Sequence, residues 1–183
     1  MNTSMSGCLA ILLLGTGLIG GCTSRRPLLT PPPIPIVWPK PPDAARVRYL
    51  DQVAGSEDVQ EARSLGEVVG ELVYGPEKPS MLVSPIAVAV HADGQRFAIA
   101  DTQGLCVHLF DLRKPSYERL DGCAGEPFQT PAAVCYAGDE LWAADAKAGG
   151  IAVFAGGGGQ RWVGRGHLTR PAGLAWCASN DLV

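Results

Sequence analysis

Three prolines set the register of this chain. SPIAVAVHADGQR begins at Ser84, TPAAVCYAGDE at Thr130 and RPAGLAWCASNDLV at Arg170, so Pro85, Pro131 and Pro171 stand 46 and then 40 residues apart. Downstream of the first two, FAIADTQGLCVHLF (residues 97–110) lies over LWAADAKAGGIAVF (141–154) without a gap. Asp101 meets Asp145, Ala100 meets Ala144, Val107 meets Ile151 and Phe110 meets Phe154. A chain that repeats at such a period is built from copies of one supersecondary unit, none of which buries its apolar face alone.

Each unit has the same grammar. Proline opens an alternating apolar run, a polar turn follows (HADGQ, then AGDE, then ASND), and a second run ends in Asp. A tight turn containing Gly104, or Gly149 and Gly150, leads to a third run ending in Phe. A variable loop, LRKPS or AGGGGQ, leads to a fourth run. Four short period-2 runs with turn chemistry between them predict four antiparallel strands per unit. Four-stranded units of this length are the blades of a β-propeller. The expected fold is therefore all-β: a partial propeller of about two and a half blades over residues 82–183.

The unit resembles the NHL repeat, with its pattern of Pro-x-Gly/Ala-hydrophobic, then Asp/Asn-Gly, then Val/Ile-Ala-Asp, then a run ending in Val-Phe. WPKPPDAARVRYL, before the first unit, resembles the entry segment of bacterial NHL-type propeller lipoproteins. That resemblance implies that Arg46 to Val53 pairs with the last blade and closes the ring. It also implies binding more than catalysis. A complete propeller has about four to eight blades, and the sequence ends inside the expected second strand of its third copy, so the chain reads as a fragment.

The first 21 residues read as a signal peptide. An apolar stretch from about Cys8 to Ile19 is too short to span a bilayer but has the length of a signal core. It ends in LIGGC, Leu18 to Cys22, which resembles the bacterial lipobox, although residues 1–7 carry no Lys or Arg. The resemblance implies palmitate-type acylation of Cys22, and two or more acyl chains anchor a protein stably. Thr23 is not an Asp of the kind that resembles an inner-membrane retention signal, so the expected address is the outer membrane, facing the periplasm.

Residues 22–45 are the expected linker. Eight of the sixteen residues from Pro27 to Pro42 are proline. Proline removes backbone donors and fixes φ, so this segment should be an extended spacer. Residues 46–81 are expected to hold an entry strand over Arg46 to Val53 and then an amphipathic helix. Ser56 and Asp58 can cap it, Val59, Ala62, Leu65, Val69 and Leu72 share a face, and it ends near Tyr74.

Candidate sites are few. Asp101, Cys106 and His108 lie within one short stretch. Asp101 recurs as Asp145, and a unique catalytic acid has no reason to recur with the fold period. A strand-ending carboxylate instead serves the following turn by accepting its backbone N–H groups. The repeat positions Pro85, Asp101, Phe110, Pro131, Asp145, Phe154 and Pro171 therefore read as structural. His108, between Val107 and Leu109, is expected on the opposite side, with nothing nearby to complete a site. No CxxC, CxxCH or HxxxH spacing supports zinc or haem. Cys106, Cys123, Cys135 and Cys177 would be exported, and Cys106–Cys123, Cys123–Cys135 and unpaired thiols stay open as alternatives. AGGGGQ lacks the GK[ST] ending of a phosphate loop and reads as a hairpin tip. Tyr117 and Trp162 are expected at matching outer-strand positions.

The net charge of -3 gives no footprint for nucleic acid. No cofactor or metal is expected. The functional expectation is a membrane-anchored, exported, non-enzymatic propeller that binds or scaffolds a protein, peptide or glycan. The alternative is a fragment of a calcium-dependent propeller hydrolase, lactonase or lyase, and a third reading is a remnant without function.

Overall fold

The computed structural model describes residues 30–59, 80–156 and 159–177. The expected signal peptide, Cys22 and nearly all of the expected helix lie outside them. The chain is all-β, as its repeat pattern predicts. Two four-stranded antiparallel sheets form its body, and among the described residues no barrel closes.

The first sheet is a meander of β3 (Pro85–Val90), β4 (Arg96–Asp101), β5 (Cys106–Asp111) and β6 (Ser116–Leu120). The second repeats it with β9 (Pro131–Ala137), β10 (Glu140–Asp145), β11 (Gly150–Phe154) and β12 (Gln160–Val163). Registers match position for position: Asp101 pairs with Cys106 and Asp145 with Gly150, while Phe97 pairs with Phe110 and Leu141 with Phe154. The register also shifts at the same place in both copies, where Pro85 faces Asp101 and Pro131 faces Asp145. Between the sheets runs a small hairpin, β7 (Gly122–Cys123) with β8 (Glu126–Pro127).

The two sheets share one core. Ala98, Ala100 and Val107 of the first face Val134, Leu141, Ala143 and Ala152 of the second, with Phe128 and Cys123 from the connection. Ala87 and Ala89 pack beside them near the first strands, and Leu109, Leu120, Phe154 and Trp162 near the last two. This is the face-to-face stacking of consecutive propeller blades. A second cluster covers the other face of the first sheet, where Val53, Val59 and Leu82 pack on Phe97, Ile99, Phe110 and Tyr117.

Two local expectations change. The strand expected over Arg46 to Val53 is reduced to β2 (Val47–Arg48), which pairs with β1 (Val37–Trp38) from the proline-rich stretch rather than with a blade. The prolines on either side of Val37–Trp38 leave room for only a two-residue pairing. Asp58 accepts N–H bonds from Ala54 and Gly55 at 2.6 and 3.1 Å within a 3-10 turn, Ser56–Asp58, and the helix expected beyond Val59 lies outside the described residues. Tyr117 and Trp162 do not correspond: Phe110 faces Tyr117 and Ala152 faces Trp162, so Arg119 matches Trp162 and Tyr117 matches Gln160. The loops before β6 and β12 differ in sequence, and alignment across them slips. Residues 164–177 follow β12 without a strand.

Candidate functional site

The recurring aspartates occupy one geometry. Asp101 is fully buried at the end of β4. It accepts N–H bonds from Val83 at 2.6 Å, Ser84 at 2.9 Å and Gly104 at 2.7 Å. Asp145, equally buried, accepts from Gln129 at 2.6 Å, Thr130 at 3.0 Å, Lys147 at 3.0 Å and Ala148 at 2.9 Å. Each carboxylate thus ties the chain entering its sheet to the turn leaving its second strand. Burial alone would raise the Asp101 carboxyl, but the amides of Val83, Gly104 and Ser84 outweigh it and hold it below the usual range.

The structure brings Asp101, Cys106 and His108 together, against the expectation that His108 faces away. Cys106 and His108 are two apart on β5 and share a face, and Asp101 lies across from Cys106. His108 Nε2 is 3.2 Å from Cys106 Sγ and 3.4 Å from Asp101 Oδ2. Its Nδ1 is 2.8 Å from the Tyr117 hydroxyl, which donates to Ser80 Oγ at 2.6 Å. His108 therefore meets the Tyr117 hydroxyl with one ring nitrogen and both Cys106 Sγ and Asp101 Oδ2 with the other. Arg119 lies alongside, donating to the Gly104 carbonyl at 3.0 Å and to Asp121 at 2.6 Å.

This cluster is not arranged for nucleophilic catalysis. A catalytic triad sets its carboxylate on one imidazole nitrogen and its nucleophile on the other. Here both face Nε2. Cys106, His108 and Asp101 are fully buried. Burial pushes the Cys106 thiol up to about 11 and pushes the His108 imidazole down, despite the nearby Asp101 charge. The thiol stays protonated, the form that is neither nucleophile nor metal ligand. Among the described residues no group of three His, Cys, Asp or Glu side chains is set to hold a metal ion. The cluster can anchor. Through Tyr117 it holds Ser80, whose N–H also donates to Ser56 Oγ at 3.0 Å, and through Asp101 it holds Val83 and Ser84.

Cys106, Cys123, Cys135 and Cys177 form no disulfide with one another. Cys123 is buried in the inter-sheet core, its Sγ donating to the Arg161 carbonyl at 3.4 Å. The glycine-rich run closes the β11–β12 hairpin, with Ala155 N donating to the Gly159 carbonyl at 2.8 Å.

An open cleft of about 400 Å³ lies between the two sheets. Leu109, Leu120, Tyr136, Leu141 and Phe154 give it apolar walls, and Ser116, Glu118 and Gln160 line its mouth. At one end Arg96 spans the sheets, donating to Asp93 at 2.8 Å and to Asp139 at 3.0 Å. His91 stacks edge-on against Tyr136 there, ring centroids 5.1 Å apart. Sequence reasoning did not find this cleft, because its walls come from different repeats and no motif joins them.

No protein-family model matches the chain, and no curated protein matches it significantly.

Proposed function

We propose that this chain is an exported NHL-type propeller module, anchored to the bacterial outer membrane through lipid on Cys22, that binds or scaffolds a protein, peptide or glycan partner. The observation that carries this reading is the shared geometry of Asp101 and Asp145. The residues most like catalytic acids do the same structural work in both sheets, and the one Cys–His pairing beside them is sealed from solvent. A mixed apolar and polar cleft lies open between the sheets, the kind of surface that orients a ligand through a few polar groups. The lipobox-like LIGGC and the proline-rich spacer support an anchored module held off a membrane.

The test has two arms. Cells expressing the full-length protein are fed labelled palmitate, with Cys22→Ala as control. In parallel, p-benzoylphenylalanine replaces Gln160 at the mouth of the cleft and cells are irradiated. The reading expects label lost in Cys22→Ala and a discrete cross-linked adduct from position 160. Equal labelling of the variant removes the anchor. Adducts no different from those of a probe in place of Lys114 remove the binding role of the cleft.

A further inference from the structure

The cleft between the sheets has a chemical bias. Its second-sheet wall is one cross-strand row, Tyr136, Leu141, Phe154 and Gln160, with one residue from each strand. Its first-sheet wall includes Ser116, Glu118 and Leu120, alternate residues of β6 that share a face. Leu109 pairs directly with Glu118, so the two side chains stand together. Both walls belong to the described sheets. The chain before them packs elsewhere, with Val53, Val59 and Leu82 on the opposite face of the first sheet.

The charges around this slot do not balance. Three carboxylates, Asp111, Glu118 and Asp139, line it with a single guanidinium, that of Arg96. Arg96 is already shared between Asp93 and Asp139, and Asp111 is held by Arg113 at 2.6 Å. Asp139 meets Arg96 through Oδ1, and its side chain is 80% exposed. The Glu118 carboxylate takes part in no hydrogen bond or ion pair among the described residues. The surplus is therefore negative and sits beside leucines.

We infer that the cleft takes a peptide segment in which an apolar side chain stands next to lysine or arginine. The apolar group seats among Leu109, Leu120 and Leu141, and the cation meets Glu118. This rests on the binding role of the cleft and adds the chemistry of what fills it. Complementary charge selects partners and suppresses wrong ones, so the same rim turns away acidic segments. A neutral glycan brings neither a cation for Glu118 nor an apolar side chain for the leucines.

The experiment uses the full-length chain in non-ionic detergent micelles, with empty micelles as the blank. Three fluorescein-labelled peptides are titrated by anisotropy: lysine–leucine (SGKLKLKGS), glutamate–leucine (SGELELEGS) and lysine–serine (SGKSKSKGS). The first is expected to bind about tenfold more tightly than either control, and less tightly as salt is raised. Glu118→Gln, with unchanged circular dichroism, should weaken it about threefold, and Glu118→Lys should weaken it further. The first peptide with p-benzoylphenylalanine in place of one leucine should cross-link to residues 109–120 or 154–160. Equal binding of the glutamate–leucine peptide, unchanged affinity in both folded variants, or adducts elsewhere would overturn the inference. If position 160 still yields adducts in cells, the binding role of the cleft survives that failure. Adducts there of glycan rather than peptide mass would overturn the peptide assignment alone, whereas none above the Lys114 background would remove both.

Discussion

Leu105 and Gly149 occupy the same turn position one repeat apart, and both have a left-handed backbone, with φ of 53° and 63°. A Cβ crowds the following carbonyl oxygen there at a cost of about 1–2 kcal/mol. Leu105 is also half exposed, so it gains little from burial in return. Leu105→Gly is therefore expected to stabilise the protein by roughly 0.5–1 kcal/mol, offset in part by glycine's greater chain entropy. Urea denaturation checks this, and a destabilised variant would refute it.

The two aspartates should respond alike. Asp101→Asn and Asp145→Asn each replace an acceptor-only carboxylate with a group that presents N–H to backbone N–H. Each should cost about 3 kcal/mol, the upper range for hydrogen bonds to a charged group. Near-equal losses in the denaturation midpoint are the signature of a repeated structural role. A severe loss at one position and none at the other would point to a function peculiar to that site.

Stability should fall in mild acid because of His108. Its folded-state pKa is depressed by burial, so the folded protein binds the proton less readily than the unfolded chain. The unfolded chain therefore takes up protons first, starting near its ordinary value of about 6.5. Stability is then full above that pH and declines as pH falls through it toward the lower folded value. Denaturation midpoints at successive pH values from neutral downward test this. His108→Gln should flatten that part of the profile; an unchanged slope would assign the dependence elsewhere. Asp101 adds a separate loss at lower pH, below the ordinary carboxylate range, because its folded pKa is depressed too.

Thiol chemistry should follow burial. Cys106 and Cys123 are buried, and burial raises both thiols, Cys106 to about 11. Iodoacetamide at mildly alkaline pH should spare these two until denaturant is added. Mass mapping reads the outcome. Prompt alkylation of Cys106 in the native protein would contradict the closed network around His108.

Much of this fold was legible because the repeat carries it. Alternating runs, the Pro-to-Asp register and the strand-ending aspartates are local patterns, and Asp101 and Asp145 aligned on them without a gap. His108 was misplaced for an avoidable reason. Cys106 and His108 are two apart and must share a face, and the hairpin through Gly104 sets Asp101 opposite Cys106. The partners that complete the cluster, Tyr117 and Ser80, come from a neighbouring strand and from the chain before the sheet, and no spacing rule links them. Tyr117 does not match Trp162 because the loops before β6 and β12 differ, and the two-residue slip there keeps the face but changes which side chain occupies each position.

The core between the two sheets grades in size. Near the first strands it holds Ala87, Ala89, Ala98 and Ala100 against Val134, Tyr136 and Ala143, while toward the last strands it holds Leu109, Leu120, Phe128, Phe154 and Trp162. Small side chains let backbones approach and large ones hold them apart. The filling between the sheets is thus a wedge rather than a slab, thin on one side and thick on the other. Successive sheets must fan, and the fanning angle is written in side-chain volume rather than in any hinge or loop. Enlarging an alanine at the thin edge would open the fan as well as strain the core, so these unremarkable residues act as a gauge of curvature.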